Sequence, residues 1–490
     1  MLFNSYIFVL FFLPICLIGY FLLNRFNLHK FAQGYLLGMS LWFYGYFNAN
    51  YLWIIIISIC INYLCYWCMT KSLNQRMKKG LMIMGVTINI GILFYYKYFD
   101  FFLDNINDLF KTSLPLLNIV LPLGISFFTF QQISFVVDSY KGEIPKYSIL
   151  SYAGFVTFFP QLVAGPIVTH HELIPQFEDK AKKRLNWDNL SEGVYLFTLG
   201  LGKKVLLADI LGNAVNYGFS MIDYLNSTEA IVVMLSYTLQ IYFDFSGYCD
   251  MAIGIGKMFN IDLPLNFNSP YKAKTITEFW DRWHMTLTRF LTGYIYIPLG
   301  GNRKGTVRTY VNIFIVFLLS GLWHGANWTF ILWGVCHGIF SILTRMTKKY
   351  IDKIPGFIQW IVTFIFLNVT WTIFRADSIL DAVRIIKIAF SGEFARISES
   401  MAQSVWIVEN NIIETVLTAC TGYDLAYKFP EWVLLLVITI GFIFIALKKN
   451  AYEKMKIFKP TFMNVFVTAV LLVWCICSFA GVSTFLYFNF

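Results

Sequence analysis

Two stretches of the chain carry almost no charged positions: YLWIIIISICINYLCYWCM (Tyr51–Met69) and FMNVFVTAVLLVWCICSFAG (Phe462–Gly481). At about 1.5 Å per helical residue, each is long enough to cross about 30 Å of hydrocarbon. The same pattern predicts further spans at Leu2–Leu23, Ala32–Ala49, Leu81–Tyr98, Leu114–Val137, Tyr152–Ile167, Glu192–Leu207, Ala230–Phe245, Tyr310–Leu322, Thr329–Leu343, Pro355–Phe374 and Trp432–Leu447. Tyr248–Asn260 and Phe290–Leu299 are too short to cross and read as partial or re-entrant pieces. Irregular backbone survives at membrane depth only beside protein or water, so the middle of the chain should enclose a cavity. The pattern predicts an all-α polytopic membrane protein, without the short alternating strands of a barrel or the internal repeat of many transporters. Leu2–Leu23 has neither a basic leader nor a small-residue cleavage site and reads as a retained helix.

Composition agrees with the pattern. Of 490 residues, 58% are apolar and 13% charged, where soluble domains carry about 25% charged residues. The net charge of +10 does not call for nucleic acid, because Lys and Arg collect in the cytoplasmic loops of membrane proteins. By that rule KSLNQRMKKG (Lys71–Gly80), RMTKKYIDK (Arg345–Lys353) and KKNAYEKMKIFK (Lys448–Lys459) face the cytoplasm. Counting crossings then places the Arg375–Pro430 loop and the C-terminus outside. The nine cysteines lie mostly in apolar runs, an odd count without framework spacing, which argues against a disulfide scaffold. Cys65 and Cys68 form a C-x-x-C in mid-span, where packing explains them.

Polar side chains inside the spans are costly and usually mark function. SGLWHGANWTFILWGVCHG holds His324 and His337, TEFWDRWHMTLTRF holds Asp281, Arg282, His284 and Arg289, and YFDFSGYCDMAIG holds Asp244 and Asp250. His324 leads these candidates. Gly321 and Gly325 let backbone or substrate come close, Asn327 follows, and an imidazole exchanges protons near neutral pH. The competing reading is a structural histidine donating to a backbone carbonyl. His284 follows Trp280 and Trp283 at helical spacing, which predicts one shared face, lining a channel or packing. His337 lies near a predicted membrane surface and reads as structural. His170, His171 and Glu172 adjoin a Pro-bounded loop, where adjacent residues converge poorly on a metal, and no metal site is expected. Asp244 and Asp250 fall on different faces of a straight helix. Ser246–Gly247 predicts a break turning both toward a cavity, and the alternative is that they satisfy Arg282 or Arg289. IPLGGNRKGTVR offers Gly300, Gly301, Asn302, Arg303 and Lys304 as a phosphate-holding loop for a nucleotide-like donor, or as an ordinary basic loop.

Four ordered stretches carry a resemblance: FFPQLVAGPI (Phe158–Ile167), QIYFDFSGYCDMAIGIG (Gln240–Gly256), EFWDRWHMTLTRFLTGYIYIPLGGNRKG (Glu278–Gly305) and LSGLWHGANWTFILWGVCHG (Leu319–Gly338). Together with FRADS (Phe374–Ser378) they resemble the membrane-bound O-acyltransferases, in the bacterial branch of alginate and peptidoglycan O-acetyltransferases and D-alanyl transfer proteins. The resemblance implies a ring of tilted helices around a central funnel, in a bacterial inner membrane. It implies a catalytic histidine at His324 and a second histidine at His284. It divides the chain into N-terminal helices (1–112), a catalytic core (113–345) and C-terminal helices (346–490) bearing an extracytoplasmic loop (about 375–430). Asp281 stands where the alginate branch has a basic residue, and Cys249 where it often has Ser. The implied donor is acetyl-CoA, with no tightly bound cofactor. The implied acceptor is an extracytoplasmic polysaccharide, served by a secreted SGNH hydrolase-like transferase.

The tail FLYFNF (Phe485–Phe490) resembles the F-x-Y-F-x-F ending of the small partner peptide in D-alanylation systems, whose tyrosine carries the acyl group. That makes Tyr487 a candidate carrier. A phenol, with a pKa of about 10, lies close to a thiol at about 8.5, so thioester-to-phenyl-ester transfer loses little free energy. The alternative for Tyr487 is an interfacial aromatic anchor. Two other functions stand beside O-acetylation: D-alanyl transfer to teichoic acid, and a proton-coupled carrier or flippase.

Overall fold

The computed structural model describes residues 1–405, 419, 429–481 and 484–486. Tyr487, and residues 406–418 and 420–428 of the predicted outer loop, lie outside the described residues. Every regular element among the described residues is helical. Seven helices are long and apolar enough to cross a membrane: Phe8–Arg25, Asn50–Lys71, Gln75–Phe110, Ser227–Met258, Thr306–His324, Trp328–Met346 and Gly356–Arg375. Glu431–Ala446 and Phe462–Cys477 are shorter apolar helices.

Several predicted spans take another form. Leu114–Val137 is not one helix: residues 112–124, which include Pro115, Pro122 and Gly124 at φ 71°, are non-helical, and the helix runs Ile125–Lys141. Asp100 fixes that strap by accepting the Leu117 and Ile119 N–H groups (2.8 and 2.9 Å). Tyr152–Ile167 splits at Phe158 into Ile149–Thr157 and Phe159–Leu162, because Pro160 cannot continue a preceding helix.

The predicted partial piece Tyr248–Asn260 is the end of one continuous helix, Ser227–Met258, with no break at Ser246–Gly247. Gly247 serves packing instead. A Cβ there would sit 2.8 Å from the Gly200 carbonyl oxygen, and one at Gly200 would sit 2.6 Å from that of Gly247. Gly193 and Gly254 repeat the arrangement. These paired glycines bring the Trp187–Gly202 helix onto Ser227–Met258 at backbone contact, a small-residue seam typical of membrane helices.

The basic connections share one end of the bundle, linked by a chain of contacts. Tyr66, near the end of Asn50–Lys71, donates to the Pro145 carbonyl (2.9 Å). Ser151 donates to Glu178 (3.0 Å), and Lys182 pairs with Asp262 (2.8 Å). Asn450 donates to Asn268 (3.1 Å), and Trp360 to the Tyr271 carbonyl (2.8 Å). The stretch from Thr275 to Gly305 begins at this face, turns at His284 and comes back. Ile276–Trp280 leads in, and Met285–Leu291, continued by a π-turn Thr292–Tyr296, leads out. This is the region predicted from Phe290–Leu299 as re-entrant.

Candidate active site

The Thr306–His324 helix ends at His324, and Gly325 leaves in an extended conformation. Gly321 is needed for its hairpin: a Cβ there would lie 2.4 Å from the Phe330 carbonyl oxygen on the returning helix. So of the two approaches the glycines allow, the close neighbour at Gly321 is backbone. The imidazole of His324 is buried among Trp323, Trp333 and Phe374, with ring centroids 5.0, 5.2 and 5.2 Å away.

Helix ends leave carbonyls without intrahelical partners. Here the last three are capped from a distant segment. The π-turn Phe94–Tyr98 brings Lys97 Nζ to the carbonyls of Trp323 (2.6 Å) and His324 (3.0 Å), and Tyr98 donates its hydroxyl to that of Leu322 (2.7 Å). Lys97 also donates to Ser126 Oγ (3.3 Å).

His284 is buried with a left-handed backbone, φ 45°, a conformation that costs a non-glycine residue about 1–2 kcal/mol. Asn266 holds it there. The Thr286 N–H (3.2 Å) and hydroxyl (2.9 Å) both donate to Asn266 Oδ1. A backbone N–H can only donate, so that atom is an acceptor, and His284 Nδ1 at 3.1 Å carries the ring proton. Trp323 contacts both histidines, with centroids 5.9 Å from His284 and 5.0 Å from His324. The shared helical face predicted for Trp280, Trp283 and His284 does not form, because the helix ends at Trp280. Trp283 packs on Phe279 and Trp371 instead.

His337, midway along Trp328–Met346, is fully buried. The Trp280 indole donates to its Nδ1 (3.3 Å), which places the proton on Nε2, 3.2 Å from Thr370 Oγ1. Both nitrogens are thereby bound within the fold.

Two cavities meet this layer. The first, about 770 Å³, is lined by Thr275, Trp280, Asp281, Tyr296, Ser320, Arg345 and Lys348, at the basic face. The second, about 640 Å³, is lined by Lys97, Asp209, Gly325, Asn327, Phe374, Arg375, Thr484 and Leu486, at the opposite face. Ser320, one turn before His324, reaches the first, and Gly325 reaches the second. Asn327 caps the Trp328–Met346 helix and donates to the Asp377 carbonyl (2.9 Å), tying the turn after His324 to the FRADS stretch.

Asp244 and Asp250 do not meet Arg282 or Arg289. Lys203 pairs with Asp250 (2.5 Å), and Lys204 with Asp244 (2.6 Å) and Asp209 (2.7 Å). Arg282 pairs with Glu278 (3.0 Å), a residue of the first cavity's wall, and Arg289 with Glu172 (2.6 Å). The Lys204 group seats the tail. Lys204 donates to the Thr484 carbonyl (3.2 Å), the Leu486 N–H donates to Asp244 (3.0 Å), and Phe485 is buried against Lys204 and Tyr248. Gly300–Lys304 forms a turn at the basic face with Asn302, Arg303 and Lys304 exposed. His170 lies against Asp138 (3.6 Å).

Sequence reasoning passed over Lys97, Lys203, Lys204 and Asn266. The three lysines stand in largely apolar runs, GILFYYKYF and GLGKKVLLADIL, and an intramembrane charge is itself a signal. Asn266 gives no comparable sign.

Residues 36–380 match the family described as MBOAT, the membrane-bound O-acyltransferases. The chain is 41% identical over 459 residues to a peptidoglycan O-acetyltransferase of Helicobacter pylori, covering 87% of both chains. It is 36% identical over 409 residues to the probable alginate O-acetylase AlgI of Pseudomonas aeruginosa, covering 81% of this chain and 76% of that one. It is 27% identical over 297 residues to a teichoic acid D-alanyltransferase of Bacillus subtilis, covering 56% and 72%. Polar groups buried beside two opposed cavities, a helical membrane fold and this extent of similarity agree: the chain belongs to the membrane-bound O-acyltransferase family and is a multi-pass membrane O-acyltransferase.

Proposed function

We propose that this chain moves an acetyl group from cytoplasmic acetyl-CoA to a hydroxyl on the far side of a bacterial inner membrane, for O-acetylation of an envelope polysaccharide. The observation that carries this reading is the buried His324 imidazole on a helix end whose Ser320 lines the cavity at the basic face and whose following residue, Gly325, lines the cavity at the opposite face. The basic face is cytoplasmic by the charge rule, so the donor enters the first cavity. Arg345 and Lys348 in its wall suit the donor's phosphates, and Gly300–Lys304 offers further contacts at the same face. The relatives' names favour peptidoglycan, at 41% identity, over alginate, at 36%, as the acceptor.

His324 takes the acceptor hydroxyl proton as its oxygen attacks the thioester carbonyl. The C–S bond breaks, and the proton passes from the imidazolium to the departing thiolate. Thioester and alcohol become ester and thiol, and the imidazole ends neutral. His284, which shares the Trp323 ring with His324, is the second proton-handling group. The aromatic walls keep water from the acyl group.

The anchored Thr484–Leu486 backbone supports a relay in which the Tyr487 phenol is the first acceptor. A secreted SGNH hydrolase-like partner then passes the acetyl group to the polymer. Membership of an enzyme family argues against the carrier reading. Purified protein in detergent, given acetyl-labelled CoA, should acquire label on its C-terminal peptide, and Tyr487→Phe should abolish it. Polymer acetylation with no label on that peptide would overturn the relay. Transfer from a D-alanyl carrier protein but not from acetyl-CoA would overturn the donor.

A further inference from the structure

We infer that Lys97 is a positioning residue for the acyl-transfer step: its ammonium, clamped on the carbonyls that end the Thr306–His324 helix, fixes the place of His324 between the two cavities. The inference rests on the proposed role of His324.

A helix usually satisfies its last carbonyls with a left-handed glycine that folds the chain back on the helix end. Gly325 is extended and does not do this. The task falls to the π-turn Phe94–Tyr98, and π-turns inside helices recur at functional sites. The geometry is specific. An ammonium has three N–H groups and no acceptor. Those of Lys97 have three oxygen partners: Trp323 O (2.6 Å), His324 O (3.0 Å) and Ser126 Oγ (3.3 Å). Tyr98 adds Leu322 O (2.7 Å). A cation at this end also complements the negative end of the helix dipole. With its donors committed, Lys97 acts through the backbone of His324 rather than on the reacting atoms. It also lines the second cavity beside Gly325, so a loosened clamp moves the imidazole relative to the acceptor side first.

The test compares Lys97→Met, Lys97→Arg and Tyr98→Phe with wild type, using His324→Ala as the inactive control and following acetyl transfer from acetyl-CoA. A misplacement of about 1 Å can cost about 10²-fold in rate. Lys97→Met should therefore lower kcat by about 10²-fold, with KM for acetyl-CoA within about twofold. Lys97→Arg keeps a cation within reach of both carbonyls and should recover at least a tenth of wild-type kcat. Tyr98→Phe, which loses one carbonyl contact, should fall by less than about tenfold. Wild-type kcat in Lys97→Met would overturn the inference. So would a folded Lys97→Arg protein as inactive as His324→Ala, because the ammonium itself would then be needed at the reacting atoms. Should Lys97→Met fail to accumulate, Lys97→Arg decides: at least a tenth of wild-type kcat supports the inference, and a folded protein as inactive as His324→Ala overturns it. Activity retained in His324→Ala would instead remove the reading on which the inference rests.

Discussion

At the Lys203–Lys204 seat, each ammonium meets a carboxylate within 2.7 Å. Around His324, by contrast, stand the rings of Trp323, Trp333 and Phe374 at 5.0–5.2 Å, while nearby Ser320 and Gly325 each line a cavity. Both regions bury polar groups at membrane depth. The first sets two ammoniums against three carboxylates, which suits it to holding a chain segment. The second surrounds an imidazole with rings, the setting of the proposed proton exchange. Burial of an ionisable group is therefore not enough to assign chemistry. What it faces decides.

The largest effect expected at the seat comes from Lys204→Met, which leaves Asp209 and Asp244 buried without their shared cation. Breaking a buried pair from one side costs about 3–5 kcal/mol. Thermal unfolding in detergent should show that loss, and proteolysis should clip the C-terminal segment faster. An unchanged melting curve would mean the seat does not hold the fold. Gly247→Ala comes next, at about 1–3 kcal/mol, since the new Cβ would sit 2.8 Å from a backbone oxygen. A stability equal to wild type would show that the two helices are not in backbone contact.

His337→Gln sharpens the contrast between histidines. It disturbs the bonds to Trp280 and Thr370 at a cost of about 1 kcal/mol, while acyl transfer should stay within about threefold of wild type. A loss comparable to that of His324→Ala would erase the distinction drawn between them. The smallest effect belongs to the half-exposed counterpart of the seat. Burial would push the Glu172 carboxyl up, but Arg289 and Thr169 outweigh it and hold the group below its usual 4.5. With its folded value depressed, this contact stabilises above about pH 4.5 and is lost as pH falls through the lowered value. Arg289 is 47% exposed, so solvent screening limits the gain to about 0.2–1 kcal/mol. Glu172→Gln should be slightly less stable than wild type at neutral pH, and the gap should close on acidification. A gap that widened would contradict the sign.

Much of this was legible in the sequence, and the reasons differ by residue. Unbroken apolar runs such as Tyr51–Met69 announce a crossing because nothing else accommodates them. The Leu114–Val137 run misled, since Pro115, Pro122 and Gly124 hold part of an apolar stretch out of helix. Ser246–Gly247 reads as a break because a lone sequence does not show the Gly200 that faces Gly247. Asp244 and Asp250 were legible as costly groups. Their partners were not, because Lys203 and Lys204 lie forty or more positions away in sequence. His324 stood out by its setting in LSGLWHGAN, but the clamp from Lys97, 227 positions earlier, is a product of the fold alone.

The central claim is that His324 performs the proton transfer between the two cavities. The direct measurement is the rate of acetyl transfer from acetyl-CoA by purified His324→Ala in detergent, with thermal unfolding recorded on the same sample. The account predicts a loss of about 10³-fold at a melting temperature close to wild type. A folded His324→Ala protein that retains transfer within about tenfold of wild type would contradict it.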